Sequence, residues 1–162
     1  MPRLLVVHHV PTPTVRSLAD AVVAGTQDEA IQGVEVVVRP ALEATAEDVL
    51  GADGYVLGTP ANFGYMSGAL KHFFDTIFLE AGGALADDGS ASPSAGEKKP
   101  YGLWVHGRYD TTGAVRAVQS IVGALPWRQS AAVLEVLGDV GLDERDAAYE
   151  LGGTVAALLT TG

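Results

Sequence analysis

Residues 58–75 read Gly58-Thr-Pro-Ala-Asn-Phe-Gly-Tyr-Met-Ser-Gly-Ala-Leu-Lys-His-Phe-Phe-Asp75 and follow an apolar run, Tyr55-Val56-Leu57. The apolar run predicts a buried strand, and the residues after it predict a small-residue loop that leads into an amphipathic helix. Pro60 stiffens the loop and removes a donor, while Gly64 permits a positive φ or a close approach to a flat surface. Because open α/β sheets bind ligands at the carboxyl ends of strands, this stretch predicts a ligand loop with a planar occupant.

Outward from this loop, the chain alternates strand and helix patterns. Strands are predicted at 3–9, 33–38, 53–59, 100–107 and 130–137, and helices at 14–26, 45–50, 67–79, 111–125 and 143–159. Five strands with helical connections predict one doubly wound α/β domain over residues 1–162, with right-handed crossovers. Residues 80–99 are rich in Gly, Ala, Ser and Asp, and we interpret them as a mobile insertion within that domain.

Composition excludes several classes of function. The formal net charge of -10 argues against nucleic acid and anionic membranes, and favours solubility or docking to basic electron-transfer partners. The chain has no cysteine, which excludes disulfides, thiolate metal sites, iron–sulfur ligation and cysteine nucleophiles. No apolar run reaches the ~18 residues that a membrane span needs, and the first residues do not resemble a signal peptide, so a cytoplasmic location is expected.

A second loop at the same sheet edge follows the first strand and contains His9, Val10, Thr12 and Thr14. Helix amino termini bind phosphate readily, and the two threonines would add hydroxyl donors. However, the prolines at 11 and 13 each remove an amide from the loop. The alternative is a stiff turn in which Thr12 or Thr14 caps the following helix.

A third loop follows the fourth strand and reads His106-Gly107-Arg108-Tyr109-Asp110. The Tyr109 ring is able to lie against a planar ligand, since aromatic rings stack in offset geometry. Arg108 is suited to a phosphate or pyrophosphate. Asp110 or Thr111 could instead simply cap the next helix.

The histidines do not predict a metal site. His8 and His9 point to opposite faces of a strand, and His9 and His106 at the ligand edge lack a placed carboxylate. The Gly-x-Ser-x-Gly, Gly-x-Gly-x-x-Gly and Walker patterns are all absent from the sequence. A hydrolase triad, a Rossmann dinucleotide site and a P-loop are therefore unsupported, and no catalytic side chain is assigned.

Residues 58–75 closely resemble the loop and helix after the third strand in the flavodoxin-like superfamily, in its NAD(P)H-dependent FMN reductase and quinone reductase branch. The family pattern runs Gly-Thr/Ser-Pro, a short variable loop, Gly, small-x-x-Leu-Lys, an aromatic or aliphatic pair, and Asp. The resemblance implies a three-layer sandwich whose five-stranded parallel sheet has the order 2-1-3-4-5. It also implies that FMN binds at the carboxyl edge of that sheet.

Carried over position by position, the resemblance places the isoalloxazine ring against the loops after strands three and four. It places the phosphate against the loop after strand one, where Val10-Pro11-Thr12-Pro13-Thr14-Val15 faces the family's Ser/Thr-x-Thr-Gly-x-Thr and only Thr12 agrees. The implied cofactor-binding residues are His9, Val10, Thr12, Thr14, Thr59, Pro60, Ala61, Asn62, Phe63, Gly64, His106, Gly107, Arg108, Tyr109 and Asp110.

The function implied by the resemblance is an FMN-dependent oxidoreductase that passes electrons from NAD(P)H to a quinone or another small acceptor, as a homodimer or tetramer. Two alternatives remain open. The acidic charge favours a flavodoxin-type electron carrier, whereas the altered phosphate loop favours a flavodoxin-fold binding protein with weak or lost FMN binding.

Overall fold

A computed structural model describes residues 1–81 and 98–160. Its elements, in chain order, are β1 (Arg3–His8), α1 (Pro13–Thr26), β2 (Glu35–Pro40), α2 (Ala46–Leu50), β3 (Gly54–Asn62), β4 (Tyr65–Met66), α3 (Gly68–Ala81), β5 (Pro100–Gly107), α4 (Thr112–Ala124), β6 (Arg128–Gln129), β7 (Leu134–Leu137) and α5 (Leu142–Leu158). The insertion predicted at 80–99 lies, apart from its two ends, outside the described residues.

The central sheet confirms the predicted flavodoxin-like order. Strands run β2-β1-β3-β5, and both β6 and β7 pair in parallel with β5 at the far edge. Buried side chains on β1 alternate between the two faces, so Leu4 and Val6 face the core under α1 and α5 while Leu5 and Val7 face the core under α2, α3 and α4. Helices thus cover both faces, as in a three-layer sandwich.

The sequence predicted one continuous fifth strand over 130–137. The structure has two short strands there instead, β6 and β7. β6 pairs with the start of β5 through Pro100 and Arg128, and β7 pairs with its end through Trp104 and Leu134. Between these two ladders the edge strand contains two more residues than β5 does. Extra residues on one strand leave the ladder as a bulge, and this explains why the strand is divided.

The segment after the third strand is a hairpin, whereas the sequence predicted a small-residue loop there. β3 continues beyond the predicted end at residue 59, and Asn62 pairs with Tyr65 of the short antiparallel β4. The connecting turn is Phe63-Gly64, with φ values of 52° and 77°. Two consecutive positive φ values give the backbone twist that a two-residue hairpin needs.

Helices α1 and α5 pack together at their backbones. A Cβ added at Gly152 would overlap the carbonyl oxygen of Val22, and one added at Gly25 would overlap that of Tyr149. This close approach holds both helices over the same face of the sheet. Over residues 1–81 and 98–160, none of the helices combines the length and apolar character that crossing a bilayer demands.

Candidate functional site

The carboxyl ends of β1, β3 and β5 lie side by side and bring three loops to one edge of the sheet. His8 is in register with Gly58, and Pro60 is in register with His106. The backbone N–H of His9 donates to the carbonyl of Gly58 at 3.2 Å, which ties the first loop to the third strand. The structure therefore gathers at this edge the three segments that the sequence predicted to bind a ligand.

In the first loop, Thr12 caps the following helix, as the sequence predicted for Thr12 or Thr14. Thr12 is the N-cap of α1, and its Oγ1 accepts a hydrogen bond from the N–H of Val15 at 3.3 Å. Pro13 occupies the first turn, so that turn has one amide fewer to offer an anion. Thr14 follows, and its own N–H is among the first-turn donors that have no acceptor within the helix.

The hairpin is held rigidly from within. Thr59 is fully buried, and its Oγ1 donates to the carbonyl of Pro60 at 2.8 Å while accepting from the N–H of Ser67 at 2.9 Å. The Thr59 hydroxyl therefore fixes the loop and does not face its outer surface. The hairpin also touches α4, because a Cβ at Gly113 would overlap the carbonyl oxygen of Gly64.

The tip of this hairpin is exposed. Ala61 is half-buried, and Asn62, Phe63 and Gly64 are exposed. The Phe63 ring is fully open to solvent. A large aromatic side chain placed at the end of a rigid hairpin is available for contact with a ligand or a second molecule.

In the third loop, His106 is buried and its Nε2 donates to the carbonyl of Gly138 at 2.7 Å, while the N–H of Gly138 donates to the carbonyl of Gly107 at 2.8 Å. These two hydrogen bonds hold the loop against the turn after β7. Arg108 adds an exposed ion pair with Asp139, at 3.6 Å between Nη1 and Oδ1. His106 therefore positions the loop, which the sequence could not show.

Two of the remaining side chains of this loop, those of Asp110 and Thr111, form hydrogen bonds, and the third, that of Tyr109, is exposed. Thr111 Oγ1 donates to Oε1 of Glu135 at 2.7 Å, and Asp110 Oδ1 accepts from the N–H of Thr112 at 2.9 Å. That backbone hydrogen bond lowers the pKa of the Asp110 carboxyl. Tyr109 is 92% exposed and is the second open aromatic ring of the site.

Small residues lie where the hairpin and the third loop meet, and an exposed aromatic ring stands at the tip of each. A Cβ at Gly107 would stand 3.3 Å from Cβ of Ala61, so only small residues stand where the hairpin and the third loop meet. Phe63 and Tyr109 then project from the tips of these two loops. The amino terminus of α1, where Thr12 and Thr14 stand, is a positive dipole end of the kind that binds anions.

One titratable residue beside the first loop, His8, is buried, which the sequence did not predict. His8, at the end of β1, is 7% exposed. Burial, followed by the positive charge of Arg16, lowers the pKa of His8 to about 4, although Asp20 acts in the opposite direction. The alternation of β1 predicted the face on which His8 lies but not the depth at which it is covered.

We expect the stability of the protein to fall by about 2 kcal/mol between about pH 7 and about pH 5 through His8 alone. The unfolded chain takes up a proton on this imidazole as the pH drops through 6.5, whereas the folded chain resists protonation until about pH 4. The contribution of His8 to stability is therefore fully present above about pH 6.5 and is lost as the pH falls toward about 4. Urea unfolding at both pH values measures this, with His8→Leu as the comparison. Equal pH dependence in the two proteins would contradict the prediction.

Comparison with known proteins agrees with this architecture. The family model described as NADPH-dependent FMN reductase matches residues 9–135. A protein named flavodoxin from Aquifex aeolicus (strain VF5) is 35% identical over 85 residues, which are 52% of this chain and 45% of that protein. The alignment thus spans a little under half the length of that relative.

Two solved structures share the fold at low sequence identity. A flavodoxin from the domain Archaea superimposes with a TM-score of 0.78 at 14% identity, over 98% of this chain and 99% of that one. A flavodoxin described as WrbA-like, from Agrobacterium tumefaciens, gives 0.72 at 14% identity over 99% of both chains. Because the family model covers most of the chain and the fold agrees, the protein belongs to the NADPH-dependent FMN reductase family, with a flavodoxin-like fold.

Proposed function

We propose that this protein is an FMN-dependent oxidoreductase that passes electrons from NAD(P)H to a quinone or another small acceptor. The observation that carries the proposal is the pair of rigid loops at the carboxyl edge, each of which ends in an exposed aromatic ring, Phe63 and Tyr109. Membership of a family of FMN reductases supports the same cofactor. When bound, FMN supplies hydride acceptance and electron release, and the protein supplies binding and orientation.

Different residues of the chain would bind the ring and the phosphate of FMN. Phe63 and Tyr109 would contact the ring, and the Thr59–Ser67 and His106–Gly138 hydrogen bonds hold their loops in place. Thr12 and Thr14 would hold the phosphate at the start of α1. We extend the proposal to a homodimer or tetramer in which a second copy covers the open aromatic rings, since rings so exposed favour burial.

The test is a titration of the purified chain with FMN, followed by fluorescence quenching, and then assays of NADH and NADPH oxidation with a quinone. Saturable quenching and quinone-dependent oxidation support the proposal. No binding and no oxidation would overturn it. Size-exclusion chromatography measures the oligomeric state in the same preparations.

A flavodoxin-type electron carrier is the second candidate. The acidic charge of -10 and the likeness to the Aquifex flavodoxin favour it. A carrier binds FMN and remains a monomer without direct NAD(P)H turnover, whereas the proposed reductase turns over NAD(P)H. The same titration and assays therefore separate the two functions. A third candidate, a binding protein with lost or weak FMN binding, would show no saturable quenching.

Replacing Pro13 with glycine is expected to tighten FMN binding about tenfold, because the new N–H adds a charge-assisted hydrogen bond of about 1.5–3 kcal/mol. Pro13 lies in the first turn of α1, where an added amide would face the phosphate. Affinity is measured by FMN fluorescence. Pro126→Gly, in the turn before β6, is the control for the stability that a proline-to-glycine change loses through the unfolded chain, and it should leave FMN affinity unchanged. A folded Pro13→Gly protein with unchanged affinity would contradict the expected phosphate position.

A further inference from the structure

A broad depression opens at the amino-terminal edge of the sheet, the end opposite the three loops of the candidate site. Its volume is about 960 Å³. The residues around it precede or begin the strands, or end α5, and they include Pro2, Asp53, Pro100, Arg128, Leu158 and Leu159. Among the described residues, it shares no lining with the first loop, the hairpin or the third loop. The depression is therefore a separate candidate for binding.

The floor of the depression is apolar. Leu159 packs directly on the start of β3, because a Cβ added at Gly54 would stand 3.1 Å from Leu159 Cδ2. The same Cβ would stand 3.3 Å from the carbonyl oxygen of Pro100, where β5 begins. Pro2 and Leu158 add further apolar surface, and Leu158 is 38% exposed. An apolar group bound here would remove part of that surface from water.

Two opposite charges line this depression without meeting each other. Asp53 directly precedes β3, Arg128 begins β6, and both side chains are exposed. The start of β5 at Pro100 lies between them, so their backbones are two strand spacings, about 10 Å, apart. In the part of the chain that the structure describes, no ion pair joins the two side chains. The space between them suits a ligand that carries both charges.

Each of these charges has capacity for a further partner. Asp53 Oδ2 accepts from the backbone N–H of Arg3 at 2.8 Å, which orients the carboxylate and leaves its other lone pairs unused by this bond. Within residues 1–81 and 98–160, Arg128 forms no ion pair. A neighbouring cation, Lys99, is already engaged, since its Nζ donates to the carbonyl of Ala52 at 2.7 Å. Both charges can therefore form charge-assisted hydrogen bonds with a ligand.

We propose that this depression binds a small zwitterion with an apolar side chain, namely a free apolar amino acid. The ammonium group would donate to Asp53, the carboxylate would accept from Arg128, and the side chain would lie on Leu158 and Leu159. A ligand with only one of the two charges would leave either the carboxylate or the guanidinium without a partner. The volume is at the upper end of the range for ligand pockets, about 300–1,000 Å³, so such a ligand fits with room to spare.

The experiment titrates the isotope-labelled full chain, without FMN, with L-phenylalanine and follows it by NMR. We expect saturable shifts in the amide signals of Gly33, Asp53 and Leu158, which all line the depression. N-acetylphenylalanine lacks the ammonium group and phenethylamine lacks the carboxylate. Each should bind about tenfold more weakly, because each loses one hydrogen bond to a charged group. This ligand series tests the proposal in the parent chain without any substitution.

Substitutions assign each charge to its partner. Arg128→Gln should weaken L-phenylalanine about tenfold and leave phenethylamine unchanged, since phenethylamine has no carboxylate to lose a partner. Asp53→Asn should weaken L-phenylalanine equally and leave N-acetylphenylalanine unchanged. The asparagine keeps an oxygen for the N–H of Arg3, so this variant should fold, as a native spectrum would show. Arg116→Gln, at an exposed arginine of α4, is the control and should bind all three ligands like the parent.

Three outcomes overturn the proposal. The first is a titration with L-phenylalanine that never saturates. The second is a saturable shift map centred on Phe63 and Tyr109, which would assign the ligand to the candidate flavin site. The third is equal affinity for all three ligands, or equal affinity for L-phenylalanine in Arg128→Gln and Arg116→Gln. Because FMN is absent from the measurement, the result stands whether or not the chain proves to be a flavoprotein.

Discussion

Gly152→Ala is expected to destabilise the protein by about 3 kcal/mol or more, the upper part of the range for overpacked interiors. The new methyl group would occupy the position of the Val22 carbonyl oxygen on α1. A backbone atom has no alternative rotamer, so α1 and α5 must separate. Their separation would expose the core between them and the sheet, where Leu4, Val6 and Trp104 are fully buried.

Urea unfolding followed by circular dichroism measures this effect. The matched control is Gly123→Ala on α4, where no atom lies within 4 Å of the added Cβ. That variant should be as stable as the parent, or more stable by up to about 1 kcal/mol, because alanine favours a helix more than glycine does. If both variants unfolded at the same urea concentration, the two helices could not be in backbone contact.

Gly113→Ala is expected to weaken FMN binding about a hundredfold, which corresponds to about 2.7 kcal/mol. A Cβ at this first turn of α4 would overlap the carbonyl oxygen of Gly64. Relief of this overlap must shift the hairpin tip, and with it the Phe63 ring, by about 1 Å, because the added Cβ would stand only 2.0 Å from that oxygen. Displacements of that order at a positioned group are enough to cost about two orders of magnitude.

Fluorescence titration with FMN provides the measurement, and thermal unfolding shows whether the variant still folds. Gly68→Ala is the control, because Gly68 begins α3 a few residues from the same hairpin and its added Cβ meets nothing within 4 Å. It should bind FMN like the parent. Retained affinity in a folded Gly113→Ala protein would mean that the hairpin does not contact the flavin.

Much of the fold could be predicted because its central strands are nearly continuous apolar runs, as parallel strands buried on both faces require. β1 and β5 show this pattern clearly, and Thr12 shows the hydroxyl that a helix start prefers. The hairpin could not be predicted in the same way. Its turn places Phe63 at a positive φ, where sequence preference favours asparagine or glycine, so packing against α4 must contribute to its shape.

The candidate site, like the fold, could be predicted only in part. The three segments were predicted at one sheet edge because parallel strands end together. The partners of each loop were not, because Glu135, Gly138 and Asp139 come from β7 and the turn after it, and nothing local in the sequence links them to residues 106–111.

The divided last strand has a consequence for how copies of this protein can meet. An uninterrupted border strand offers a row of unsatisfied amides and carbonyls, and identical chains can add to it without limit. Here the bulge between β6 and β7 breaks that row into two short segments, of two and four residues. Open-ended addition of copies along this border is therefore disfavoured, whereas contacts between aromatic tips related by symmetry can close an assembly at a fixed size.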